Sequence, residues 1–104
     1  MAQIPNPGVG VDAVIIFDKK GKLKMVVPEE IEIYGGETVR WVIEPQNSAK
    51  VTFEPERNPL SDWVDKTETK TIEGRIKANA KATSYKYTVT AGDVIIDPHV
   101  RVRR

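Results

Sequence analysis

The 104-residue chain carries 16 Lys and Arg against 15 Asp and Glu and contains no cysteine. The missing thiols exclude disulfides, cysteine nucleophiles and thiolate metal sites. A net charge of +1 gives no long-range pull toward nucleic acid or an anionic membrane surface.

Residues 1–10 read as an N-terminal extension, with neither the basic start nor the apolar stretch of a signal peptide. As written, the chain is expected in the cytoplasm, or in the periplasm if a leader has been removed. Gly8-Val9-Gly10 lacks the strand before it and the helix after it that a phosphate cradle needs. The apolar runs, such as Ala13 to Phe17, are too short for membrane insertion.

From there the dominant period is two. Ile31 and Ile33 alternate with Glu30 and Glu32, and Val39, Trp41 and Ile43 alternate with Thr38, Arg40 and Val42. Val51 and Phe53, then Tyr85, Tyr87 and Val89, then Val100 and Val102 repeat the pattern. Turn residues end the runs at Gly21, Gly35-Gly36, Pro45-Gln46-Asn47 and Gly92-Asp93. Strands are predicted at 12–17, 22–27, 30–34, 37–43, 50–54, 67–77, 84–90 and 98–103. Eight short antiparallel strands in one small chain imply an all-β Greek-key sandwich.

One stretch breaks the rhythm. Asn58-Pro59 followed by apolar residues at 60, 63 and 64 has the spacing of a short helix near 59–65. Trp63 on that helix is expected to close one end of the core, with an exposed stacking platform as the alternative. Asp62 and Asp65 beside it, like Glu29, Glu30 and Glu32, read as solvated charges. Arg101 and Arg103, followed by Arg104, alternate with Val100 and Val102 as the solvent face of a half-buried strand would.

Enzymatic chemistry finds little to work with. Ser48, Ser61 and Ser84 stand in no nucleophile-elbow pattern, and His99 is the single histidine available as a base. One imidazole near Asp97 is too few ligands for a stable metal site. No catalytic residue, metal ligand or cofactor is expected.

Two segments carry a family likeness. Pro28 to Ile43 contains Gly36-Glu37-Thr38-Val39-Arg40-Trp41, with Val51-Thr52-Phe53 beyond it. Tyr85-Lys86-Tyr87-Thr88 leads through a loop into Val100-Arg101-Val102. Over residues 22–103 this resembles the cupredoxins, the plastocyanin and azurin type of β-sandwich, and implies one domain over 1–104. The resemblance places Ala49 at the first copper-ligand histidine, Thr88 at the cysteine and Ile96 near the axial methionine. The loop from Val89 to Asp97 offers no histidine. All four ligand places are thus empty, which argues against a blue-copper carrier.

The expected function is a non-catalytic, copper-free binding or interaction module that uses the end loops 44–49 and 91–97. One alternative is a degenerate metal or redox accessory in which His99, Asp93 and Asp97 share a metal between subunits. Another is carbohydrate or aromatic-ligand binding through Trp63 and Tyr34. Residues 11–17 are apolar on both parities, so a second layer must cover them. Either the N-terminal segment lies over them, or the same strand of a second molecule does, giving a homodimer.

Overall fold

The computed structural model describes residues 12–61 and 67–103, and among these residues ten strands form two facing sheets. One sheet contains β1 (Ala13–Phe17), β2 (Leu23–Val27), β4 (Thr38–Ile43) and β7 (Thr71–Arg75), in the order β2-β1-β4-β7. The other holds β3 (Glu30–Tyr34), β5 (Ala49–Phe53), β6 (Thr67–Glu68), β8 (Ser84–Ala91), β9 (Val94–Ile96) and β10 (His99–Arg103). Its order is β3-β10-β8-β5-β6, with β9 alongside β8. No helix among the described residues is long and apolar enough to cross a membrane.

The alternation read from the sequence becomes the core. Ile31 and Ile33, Val39, Trp41 and Ile43, Val51 and Phe53, Tyr85, Tyr87 and Val89, and Val100 and Val102 all point between the sheets. Burying these side chains is the main drive for the two layers to close, because each removes apolar surface from water. At the centre, Trp41 Nε1–H donates to Tyr87 Oη at 2.9 Å, so the indole's one polar atom is satisfied inside the core. The two rings meet edge to face at 5.2 Å between centroids, and Phe53 lies 5.4 Å from Tyr87.

Several expectations are corrected. Pairing is not uniformly antiparallel: β1 runs parallel to β4, and β10 runs parallel to β3. The predicted strand at 67–77 is two strands in different sheets, β6 beside β5 and β7 beside β4. The chain changes sheets at Thr69-Lys70, where an unbroken polar run gives no parity to read. Three residues of the expected loop 91–97 form β9, antiparallel to β8.

The expected helix near 59–65 is also absent from its described part. A single 3₁₀ turn stands earlier, at Pro55–Arg57. Asn58 Oδ1 accepts the Leu60 N–H at 2.9 Å, an Asx turn rather than a helix cap. Leu60 then bridges Ile76, with Ser61 N–H donating to Arg75 O and Lys77 N–H to Pro59 O. Those bonds hold 59–61 extended. Trp63, Asp62 and Asp65, the N-terminal extension and Arg104 lie outside the described residues.

β1 explains its own doubled apolarity. Ile15 faces the core, while Val14 is 0% exposed yet stands outside the core cluster. It sits between Val27 of β2 and Val42 of β4, so a row of three valines crosses the outer side of the sheet. β1 is an inner strand, flanked on both sides.

The Gly35-Gly36 reversal between β3 and β4 has a steric origin. A Cβ on Gly35 would lie 2.9 Å from the Ala78 carbonyl oxygen and 3.2 Å from that of Lys77, both backbone atoms. Gly36 adopts φ 87°, where side chains are strained. Gly35→Ala is expected to cost about 1–3 kcal/mol, because backbone must move to admit the methyl. Urea denaturation of the variant against the parent measures that cost.

Candidate functional site

Two grooves flank the connection from β4 to β5 at one end of the sandwich. Its loop, Glu44-Pro45-Gln46-Asn47-Ser48, is held firmly for a loop. Glu44 N–H donates to Ile15 O, and Glu44 Oε1 accepts the Phe17 N–H at 2.6 Å, which staples the loop to the end of β1. On the other side Ile43 N–H donates to Lys70 O at 2.8 Å. Asn47 Nδ2–H donates to Pro45 O at 3.0 Å and closes the turn from within. Gln46, just after the proline, takes φ 69°, a conformation most residues avoid. Strain of this kind persists only where surrounding bonds fix it, and it is common at binding loops.

Two depressions flank this ridge. The larger, of about 720 Å³, is lined by Val42, Ile43, Pro45–Ser48 and Thr69–Thr71. The smaller, of about 340 Å³, lies between Glu44–Asn47 and Phe17-Asp18. The larger groove has an apolar wall from Val42, Ile43 and Pro45. Around it stand hydroxyls of Ser48, Thr69 and Thr71, carboxamides of Gln46 and Asn47, and one cation, Lys70. No carboxylate lines it. In the smaller groove the Asp18 carboxyl is held below its ordinary range, chiefly by the hydrogen bond from Lys22 N–H and further by that from Lys20 N–H. The turn stability this carboxylate lends is present above its unfolded pKa and lost as pH falls through the depressed folded value.

The expected loop 44–49 thus forms the ridge, but Thr69, Lys70 and Thr71 were not expected beside it. They arrive because the chain changes sheets there. The solid polar run Thr67-Glu68-Thr69-Lys70-Thr71 is the one sequence signal that could have exposed the break.

The places where the resemblance implied copper ligands are filled by packing. Ala49 begins β5 and is buried in the core cluster. Thr88 lies on the outward parity of β8, where its hydroxyl donates to Asp97 Oδ1 at 2.9 Å. The inward residue at that level is Val89, fully buried and paired with Val51 and Ile96. Ala91, Val94 and Ile96 pack against the same core. An apolar cluster of this kind has no lone pairs to offer copper, so the residues present do not fit the metal.

His99 is half-buried at the start of β10, beside Glu30 and Lys86 in register, and its N–H donates to Glu29 O. Asp93 is at the tip of the β8–β9 turn, and Asp97 is engaged by Thr88. The described residues contain no group of three or more His, Cys, Asp or Glu able to hold a metal ion. Arg103 forms a forked pair with Glu32, at 3.2 and 3.0 Å, on the exposed face of the second sheet. Ser61 Oγ–H donates to Arg75 O, and Ser48 lines the larger groove. Tyr34 is 55% exposed beside a shallow groove formed with Gly35, Ala78–Ala80 and Arg103.

No family model and no curated protein matches the sequence. Solved structures match the fold. A purple cupredoxin from Nitrosopumilus maritimus superposes over 89% of this chain and 99% of its own, with a TM-score of 0.58 at 14% identity. Amicyanin from Paracoccus versutus (Thiobacillus versutus) superposes over 94% of this chain and 85% of its own, with a TM-score of 0.59 at 21% identity. The fold is that of the cupredoxins. This cupredoxin-like domain keeps the sandwich with no cysteine anywhere in its chain.

Proposed function

We propose that this cupredoxin-like domain is a copper-free, non-catalytic binding module whose contact surface is the 44–48 ridge with its larger groove. The observation that carries the reading is the groove itself, walled by a strained, hydrogen-bonded loop on a rigid scaffold. Binding residues concentrate on such loops. With Lys70 as its one charge and no carboxylate in its lining, the groove favours a polar or acidic segment of a partner over a basic one.

Chemical-shift mapping with a short polyglutamate peptide and with a neutral oligosaccharide tests this. Shifts confined to 42–48 and 69–71 on adding the peptide, weakened several-fold by Lys70→Glu, are the expected outcome. Shifts elsewhere, or none with either probe, overturn it. A second reading, carbohydrate binding, rests on the exposed Tyr34 ring. Oligosaccharide-induced shifts at Tyr34 and Asn79 mark that alternative.

A further inference from the structure

The outer side of the first sheet, turned away from the core, is itself apolar. Val27, Val14 and Val42 form one row across β2, β1 and β4, and Met25 and Ile16 form the next. A two-layer sandwich ordinarily leaves this face of a sheet to water. Val14, at the middle, is 0% exposed, whereas Met25 and Val27 on the outer strand are 42% and 39% exposed. A cover therefore lies over β1 and stops short of the sheet edge.

Val14 loses its exposure within a single copy of the chain, so the cover comes from the same molecule. All ten described strands belong to the two sheets, and none of them lies over this face. Residues 62–66 are tied at one end, through Ser61, to Arg75 of the edge strand β7, and at the other, through Thr67, to Lys50 in the second sheet. Five residues extend about 17 Å at most, and the passage between sheets roughly 10 Å apart takes that up. Residues 1–11, by contrast, lead directly into β1.

The sequence of that segment suits the face. Met1 to Val11 contains no Asp, Glu, Lys or Arg, in a chain where those types make up 30%. Ile4, Val9 and Val11 are apolar, and Gly8 and Gly10 give the backbone freedom for a reversal just ahead of the strand. The point of departure is fixed. Asp12 N–H donates to Arg40 O at 2.9 Å, and Asp12 Oδ2 accepts the Arg40 N–H at 2.8 Å. From there an extended segment of this length reaches about 36 Å, against a spacing of about 4.8 Å between strands.

We propose that residues 1–11 fold back over the outer face of the first sheet as a strap, with their apolar side chains seated on the row centred at Val14. The docking is intramolecular. It keeps the second apolar parity of β1 from serving as a contact between molecules.

The cysteine-free chain allows a single spin label to be placed without competition. A nitroxide on Gln3→Cys is expected to broaden the amide signals of Val14, Val27 and Val42 in its own molecule. Val9→Asp should reduce that broadening several-fold while circular dichroism still reports a folded sandwich. Ile4→Asp, farther from β1, gives the same reading should Val9→Asp lose the folded spectrum. No ligand is added, so the result is independent of what the loop groove binds. Broadening absent from the three valines, or unchanged by both aspartate substitutions, overturns the proposal. So does equal broadening in isotope-labelled chains mixed with separate spin-labelled ones, because the occupant is then a second copy.

Discussion

Ile15→Glu is expected to yield no folded protein, while its neighbour Ile16→Glu stays folded. Ile15 is fully buried in the core cluster, in register between Val26 and Ile43, with no cation among the side chains packed there. A carboxylate there must stay charged at a cost of several kcal/mol or take up a proton at a comparable one. The lost isoleucine packing adds about 2–5 kcal/mol. A domain of this size has roughly 5–15 kcal/mol to lose. Ile16 lies on the other parity, half-buried opposite Met25 on the outer side of the sheet, where a carboxylate can reach water. Near-ultraviolet circular dichroism and urea titration of the two variants separate the outcomes. A folded Ile15→Glu beside an unfolded Ile16→Glu would reverse the facing of β1.

The second large effect centres on Trp41. Trp41→Ala is expected to cost about 3–5 kcal/mol, because it empties the middle of the core and removes the edge-to-face contact with Tyr87. Tyr87→Phe is expected to cost less, about 1–3 kcal/mol, by leaving the Trp41 N–H buried without its acceptor. Burial pushes the Tyr87 hydroxyl well above its ordinary pKa, and the hydrogen bond from Trp41 opposes that shift only in part. Because the folded value is raised, this contribution to stability is intact below the unfolded tyrosine pKa of about 10. It falls away as pH climbs above that point. Urea midpoints measured upward from neutral pH should therefore decline in the alkaline range, and Tyr87→Phe should remove part of the decline.

Where side chains alternate cleanly, the sandwich is legible in the sequence. Ile31 and Ile33, or Val39, Trp41 and Ile43, can bury one face only as strands, so their elements and their facing followed directly. The misread places are those where that signal vanishes. Thr67 to Thr71 is polar on both parities, so it has no inward face to read, and that loss of alternation is the only mark of the passage between sheets. Val94-Ile95-Ile96 is a three-residue run between Gly92-Asp93 and Asp97-Pro98, which looks like a loop until β8 supplies a partner. At Asn58-Pro59-Leu60 the capping and the spacing imitate a helix. There the side-chain oxygen of Asn58 bonds the Leu60 amide in a turn, and the bridge to Ile76 decides the matter. The candidate site was half legible. Loop 44–49 could be named from its turn residues, but its neighbours at 69–71 come from far along the chain and meet it only through tertiary pairing. Thr88 was placed by counting from a motif, whereas the parity of β8 turns Val89 inward instead.

The position of β10 sets the order of events during synthesis. It is the last of the described strands, yet it lies inside its sheet between β3 and β8, and it is the strand on which β3 pairs. Its register joins Val100 to Ile31, residues far apart in sequence. Until the ribosome has released residues through Arg103, β3 has no edge to dock on, and the side of β8 that receives β10 stays open. Folding of this domain should therefore be late and all at once, not progressive from its N-terminus, as pairings between distant segments require. Nascent chains stalled a few residues short of β10 should remain open to protease, and those extended far enough to clear the exit tunnel should become resistant in a single step.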